Sequence, residues 1–152
     1  MADETTWTIR RCLDWTRSYL ERNGDEHPRL SAEWMLSAVT GKARMELYVA
    51  YDEVLSPHEL SVMHGFIERR VAGEPLQYVT GRTGFRFMEL SCSPGVLIPR
   101  PETEILVDAA LEGVDAARAV GQDAPRVLEI GCGTGCVSLA LASERPGTLV
   151  TA

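Results

Sequence analysis

Apolar residues recur every three to four positions in four successive stretches of the first half of the chain. The stretches are residues 6–23, 28–40, 43–51 and 57–73. This spacing puts the apolar side chains on one face of a helix, so the pattern predicts four amphipathic helices. The fourth has a start signal as well, because Ser56, Pro57 and Glu59 form a capping box with proline at the first helical position. Four short-linked helices predict a small helical bundle over residues 1–73.

The pattern of residue types changes after Gly73. Residues 78–93 are rich in β-forming side chains and are interrupted by Gly81 and Gly84, a pattern typical of a short hairpin. We therefore expect residues 74–94 to form a hairpin linker between the bundle and the remainder of the chain.

Residues 95–152 have the pattern of the start of an α/β domain. Pro101 favours a helix that begins there and carries its apolar positions at 105–111, with a polar connection over 113–125. The β-branched and aliphatic run that follows, around Val127, is typical of a buried parallel strand, on which the helix would pack. A second strand is expected at 148–152. The predicted fold class is therefore α/β, a small helical bundle and a hairpin linker followed by the beginning of a Rossmann-like domain.

A glycine loop follows the first predicted strand. Gly131, Gly133 and Gly135 alternate with other residues, and an apolar helix begins immediately afterwards. Glycines let the backbone approach a ligand closely, and the free N–H groups of a helix start favour an anionic group, so a nucleotide-like ligand is plausible. A dinucleotide fingerprint would need a small third residue where Cys136 stands. With Glu129 at its start, the loop resembles the first motif of S-adenosylmethionine (SAM) dependent methyltransferases. A tight strand–helix turn without a ligand is the alternative.

Composition limits the functions open to the chain. Its 152 residues include 15 Lys and Arg against 22 Asp and Glu, a formal net charge of −7, which argues against a duplex nucleic acid as the main partner. The four cysteines form no C-x-x-C pair and no zinc pattern, so we expect no metal site. No leader pattern and no long apolar run occurs. We therefore expect a cytoplasmic protein that makes no direct contact with a membrane or with nucleic acid.

Three separated motifs, at 70–81, 97–104 and 128–135, occur in this order behind a helical N-terminal domain. Together they resemble the release-factor glutamine methyltransferases of the HemK/PrmC family, and the string from Ile98 to Glu104 is the most specific part of the match. One local departure is the hairpin turn, which reads Met88-Glu89 where the family usually has a glycine. The resemblance implies that SAM is the cofactor and that class 1 peptide release factors are the protein partners, recognised by the bundle.

The resemblance also implies the residues of a site. The SAM-binding set is Glu129, Gly131, Cys132, Gly133, Thr134, Gly135 and Thr103, and the substrate-pocket set is Pro99, Arg100, Pro101 and Glu102. Two alternatives stay open at this point. The charge of Arg100 could anchor its loop through a carboxylate instead of contacting a ligand, and Thr103 and Glu102 could cap a helix.

The reaction implied by the resemblance is methyl transfer from SAM to the amide nitrogen of the glutamine in a Gly-Gly-Gln loop. The Asn-Pro-Pro-Tyr motif that grips this amide in the family is absent, and no Asn-Pro dipeptide occurs anywhere in the sequence. We therefore assign no catalytic residue and expect the N-terminal portion of a longer enzyme. A non-catalytic module that binds a release factor is one alternative. A nicotinamide-dependent enzyme is another, which Cys136 disfavours.

Overall fold

The computed structural model describes residues 6–152, which divide into two compact units between Thr80 and Gly81. The helices of the first unit are α1 (Ile9–Arg22), α2 (Pro28–Thr40), α3 (Arg44–Val49), α4 (Pro57–Val71) and α5 (Leu76–Thr80). The first four correspond to the four amphipathic stretches of the sequence. The bundle prediction is confirmed for the described residues.

Local signals set the helix ends. The Ser56 hydroxyl accepts a hydrogen bond from the Glu59 backbone N–H at 3.2 Å, and the Glu59 carboxylate accepts one from the Ser56 N–H at 2.7 Å, so the predicted capping box opens α4. Gly41 ends α2 with a φ of +71°, in the left-handed region where a Cβ is disfavoured.

Helix α5 was not predicted, and it completes the bundle. Its Val79 is 2% exposed and belongs to the same core as α1, α2 and α4. The Arg69 guanidinium donates to the carbonyls of Tyr78 at 2.9 Å and Val79 at 3.1 Å, and it pairs with Glu74. These bonds bind α5 to the end of α4, so the first unit continues past Gly73, where the sequence pattern placed its end.

The second unit contains both helices and strands, which confirms the α/β class. Its elements are β1 (Arg82–Phe85), β2 (Met88–Ser91), α6 (Glu102–Ala119), β3 (Arg126–Leu128), α7 (Cys136–Glu144) and β4 (Leu149–Thr151). Strands β1 and β2 form an antiparallel hairpin, and β3 and β4 form a parallel pair with Val127 opposite Val150.

Three expectations about this unit were wrong in detail. Met88 and Glu89 lie in β2, and the turn consists of Arg86 and Phe87, because Phe85 pairs with Met88. Helix α6 continues through the expected polar connection to Ala119, since Val114 is buried at 3% exposure.

The third correction concerns the strand around Val127, which was expected to be buried on both faces. Leu128 is 69% exposed and Ile130 90% exposed, whereas Val127 packs on the core. In a strand, alternate side chains point to opposite faces, and here α6 and α7 cover one face of the β3–β4 pair. The core therefore lies between these helices, the hairpin and that single sheet face.

Candidate functional site

A cavity of about 440 Å³ in the second unit is bordered by the loop after the hairpin, the start of α6, strand β3, the glycine loop and the start of α7. It lies at the carboxyl end of β3, where ligands bind in open parallel sheets. Eight residues of the two predicted sets line it: Pro99, Arg100, Thr103, Glu129, Gly131, Cys132, Gly133 and Thr134. Segments about thirty residues apart in sequence, joined by α6, thus meet at one concave surface.

The other three predicted residues lie beside the cavity and do not line it. Gly135 is the N-cap of α7 with a φ of +74°. Pro101 occupies the N-cap of α6, and Glu102 is the first residue of that helix. Among residues 6–152, no side chain makes a capping hydrogen bond at this helix start, but an acidic residue such as Glu102 in the first turn is favourable near the positive end of the helix dipole.

The glycine loop has a backbone that other residues adopt only with strain. Gly131, Gly133 and Gly135 have φ values of +78°, +56° and +74°. The Gly135 N–H donates to the Cys132 carbonyl at 2.7 Å, which closes the turn before α7. A Cβ added at Gly131 would meet nothing within 4 Å, so a side chain there would extend into open space beside the backbone. The loop therefore forms an open cradle along one wall of the cavity.

Glu129 connects the strand to the helix behind this loop. Its carboxylate accepts a hydrogen bond from the Ser138 backbone N–H at 3.0 Å and another from the Ser138 hydroxyl. Its own backbone N–H donates to the Thr151 carbonyl at 2.8 Å in β4. Glu129 thereby satisfies a free N–H of the first turn of α7 and fixes the loop between its two ends.

Arg100 and Thr103 stand at the opposite wall. The Thr103 N–H donates to the Arg100 carbonyl at 3.0 Å, which begins the first turn of α6. The Arg100 side chain is exposed, and within residues 6–152 it makes no hydrogen bond or ion pair. The alternative of a carboxylate anchor is therefore not realised among these residues, and the guanidinium is available at the cavity rim.

An ion-pair cluster holds the two helices that border the cavity. Arg86 of the hairpin turn donates from its backbone N–H to Glu104 of α6 at 3.0 Å, and from its guanidinium to Asp108 of α6 at 2.7 Å and to Glu144 of α7 at 2.8 Å. The pairing lowers the pKa of Glu144 below its ordinary value, chiefly through the Arg86 hydrogen bond. Sequence reasoning missed Arg86, whose position in a turn gives no signal of these partners.

The apolar part of the cavity lining was also missed as a set. It includes Leu97, Leu106, Ala110, Val127, Leu128, Ile130, Cys136, Val137 and Leu141. Their helical or strand periodicity had indicated core positions, and several serve both purposes. Among residues 6–152, no cluster of three or more His, Cys, Asp or Glu side chains could hold a metal ion. No helix in the same range is long and apolar enough to cross a bilayer.

The architecture defines a two-unit α/β protein in which a helical bundle precedes a glycine-loop domain. Comparison with known proteins agrees with it. Residues 11–81 match the family model described as the PrmC N-terminal domain. The release factor glutamine methyltransferase of Geobacter sulfurreducens is 46% identical over 92% of this chain, and that of Chlorobaculum tepidum is 35% identical over all of it. Over nearly all of its length the chain is therefore similar to the release factor glutamine methyltransferases of the HemK/PrmC family.

The matched relatives are longer than this chain. It covers 47% of the Geobacter sulfurreducens protein and 52% of the Chlorobaculum tepidum protein. The release factor glutamine methyltransferase of Rhodopirellula baltica, 36% identical over 99% of this chain, is covered over 51% of its length. The chain thus spans about half the length of the curated relatives it matches.

Proposed function

We propose that this chain supplies the SAM loop and the release-factor-recognition bundle for N5-methylation of the glutamine in the Gly-Gly-Gln loop of class 1 peptide release factors. The observation that carries the proposal is the single cavity that joins the 97–104 segment to the glycine loop. These two segments carry the most specific motif of the family and its SAM motif, and a cavity of about 440 Å³ is within the size range of small-molecule sites.

The residues present fit SAM. The cradle at Gly131 and Gly133 leaves the backbone open along the cavity, and the apolar lining beside it suits an adenosyl group. Arg100, with its uncommitted guanidinium at the rim, would bind the carboxylate of the methionine moiety. SAM supplies an electrophilic methyl group on a sulfonium centre. The role of these residues is to bind and orient that group.

The acceptor sets a further requirement. An amide nitrogen is a poor nucleophile, so methylation depends on holding it in line with the methyl group. The resemblance implies that an Asn-Pro-Pro-Tyr motif holds the amide in the family. No Asn-Pro dipeptide occurs in these 152 residues. We therefore propose no catalytic residue here and expect the 152 residues alone to bind SAM weakly and to lack methyltransferase activity. A non-catalytic module that binds a release factor is the second candidate, favoured by the lack of an Asn-Pro dipeptide in these 152 residues.

Calorimetric titration tests the proposal. We would titrate SAM and, separately, NAD into two proteins: this chain, and a chimera in which residues 1–152 are followed by the remainder of the Geobacter sulfurreducens relative. The proposal requires that the chimera binds SAM and methylates a class 1 release factor. Tight NAD binding by the chimera would overturn it. Binding of the release factor without SAM binding by either protein would favour the binding module.

A further inference from the structure

We infer that the helical unit carries a pre-organised docking surface for an acidic segment of a protein partner. The inference rests on the proposed function for the identity of that partner, a class 1 release factor. The surface, here called the arginine–aromatic patch, consists of Arg10, Arg17, Arg29, Arg44, Trp34, Tyr48 and Tyr51.

Three of the four arginines lie over aromatic rings. The guanidinium carbon of Arg10 is 4.7 Å from the centre of the Tyr51 ring. The corresponding distances are 5.9 Å for Arg29 over Tyr48 and 5.9 Å for Arg44 over Trp34. A guanidinium held over a ring retains N–H donors along its edge, which can bind a carboxylate in the bidentate manner.

The buried carboxylate of Glu33 restricts the side chains of two of these arginines. Glu33 is 3% exposed and accepts hydrogen bonds from Nε of Arg29 at 2.8 Å and Nε of Arg44 at 3.1 Å, as well as from the Tyr48 hydroxyl. Arg29 also donates to the Tyr48 hydroxyl at 2.8 Å. Surface arginines normally lose rotamer freedom when a partner binds. Here that freedom is restricted beforehand, which favours association.

The patch is concave. Arg17, Arg29, Tyr48 and Tyr51 line a cavity of about 120 Å³, whose wall also includes Asp14 and Glu33. Arg29 and Arg44 border a second, larger cavity of about 380 Å³. The Arg17 side chain makes no ion pair or hydrogen bond to any residue in the range 6–152, so it has donors to offer. Side chains of a partner could therefore enter between arginines and tyrosines.

Charge determines which partner fits. The patch contains four arginines, and the wall of its smaller cavity contributes two carboxylates, those of Asp14 and Glu33, so these residues together carry a net charge of +2 on a chain whose formal net charge is −7. Arginine, tyrosine and tryptophan are the residue types that dominate the binding energy of protein interfaces. The complementary ligand is a segment of protein rich in Asp and Glu.

Charge reversal tests the location of the surface. We would measure the Kd between the full chain and a purified class 1 release factor, at low and at physiological salt, for the wild type, Arg17→Glu and Arg22→Glu. Arg22 is the matched control, because it lies on the same helix and, among residues 6–152, its side chain donates only to the Ser18 carbonyl, at 3.1 Å. We expect Arg17→Glu to weaken binding about tenfold at low salt and Arg22→Glu to have little effect.

A second variant tests pre-organisation. Glu33→Gln removes one negative charge, which raises the net charge at the patch by one. It also removes the carboxylate that fixes Arg29 and Arg44. Simple attraction predicts tighter binding, whereas loss of pre-organisation predicts binding about tenfold weaker. If circular dichroism shows that Glu33→Gln does not fold, Tyr48→Phe takes its place, since it removes one donor to Glu33 without changing any charge at neutral pH. Unchanged or tighter binding by the folded variant would overturn the pre-organised surface.

The remaining outcomes separate this inference from the proposed function. Equal affinities for Arg17→Glu and Arg22→Glu would overturn the patch and leave release-factor binding standing. No binding by the wild type would contradict both. Competition of single-stranded RNA for the same site, lost in Arg17→Glu, would overturn the assignment to an acidic protein segment.

Discussion

Gly133 combines a left-handed backbone conformation with a position in the cavity wall. Its φ of +56° lies in the left-handed region, and its backbone forms part of the cavity wall. Because a left-handed backbone disfavours a Cβ by roughly 1–2 kcal/mol, Gly133→Val should lower SAM affinity at least about tenfold in the chimera described above. Gly121→Val is the control, since Gly121 has a φ of +91° and lies away from the cavity. Calorimetry that finds equal SAM affinities for the two variants would contradict the cradle.

Glu33 makes the stability of the helical unit depend on pH. Burial alone would raise its pKa, but hydrogen bonds from Tyr48, Arg44 and Arg29 outweigh burial and lower the pKa to about 2, from 4.5. A carboxylate whose pKa is lower in the folded state stabilises the fold above its unfolded pKa. That contribution, at most about 3 kcal/mol, disappears as the pH falls toward 2.

The measurement is urea unfolding of the wild type and Glu33→Gln at pH 6 and pH 3. Between these values, the wild type should lose on the order of 1–2 kcal/mol more free energy of unfolding than the variant, because at pH 3 Glu33 is largely protonated in the unfolded chain but still mostly ionised in the folded chain. An identical loss in both proteins would show that Glu33 does not carry this dependence.

At the scale of secondary-structure elements, Arg86 holds the hairpin, α6 and α7 together. Its side chain is 11% exposed, and that of its partner Glu144 is 16% exposed. Removing one member of a largely buried ion pair leaves the other charge without compensation, which costs about 3–5 kcal/mol. We therefore expect Arg86→Met to lower the free energy of unfolding of the second unit by more than about 2 kcal/mol.

Arg145→Met provides the matched control. Arg145, at the end of α7, pairs with Asp115 of α6 at 2.7 Å, but the two side chains are 33% and 50% exposed. Breaking so exposed a pair should cost less than about 1 kcal/mol. The two variants are compared by denaturant unfolding, with hydrogen exchange measured at α6 and α7. Similar losses in the free energy of unfolding would refute the special role of Arg86.

Elements with a local signal could be predicted from the sequence. The capping box at Ser56 and the glycine at position 41 fix helix ends within a few residues, so α2 and α4 lie where the pattern placed them. Helix α5 has five residues, too few to show a repeating apolar pattern in the sequence, and it packs on α2 and α4. The turn at Arg86 contains no typical turn-forming residue, so the sequence contains no signal for it. Arg86 has a φ of +50°, and its long-range ion pairs compensate for the cost of this conformation.

The site was predictable to the extent that it depends on backbone. The spacing of the glycines predicted a loop in which the backbone approaches a ligand, and Gly131 and Gly133 both border the cavity, with positive φ values. The distinction between Arg100, which lines the cavity, and Pro101 and Glu102, which do not, depends on the phase of the first turn of α6. Sequence does not give that phase within one residue.

At the scale of the whole molecule, the position of the unit boundary has a measurable effect. A protein ending at Gly73 lacks α5, and therefore loses the buried Val79 and the carbonyl partners of Arg69. Burial of a Val side chain contributes about 1.5–3 kcal/mol. We therefore expect residues 1–80 to be more stable than residues 1–73 by at least about 2 kcal/mol.

Limited proteolysis of the full chain is the accompanying measurement. The bundle should survive as a piece that retains α5, with early cleavage in the segment that follows Thr80. Early cleavage within α1 to α4, or equal stability of the two truncated proteins in urea, would count against this boundary.

The unequal exposure of the four cysteines gives the molecule a natural attachment point for a fluorophore. Cys12, Cys92 and Cys136 are buried, whereas Cys132 is partly exposed in the glycine loop at the cavity wall. Burial raises the pKa of the Cys12 thiol to about 11 and also raises that of Cys92, so both have less of the thiolate that reacts with a maleimide. A dye added in limiting amount to the native sequence should therefore label Cys132 first, where its emission would respond to whatever enters the cavity.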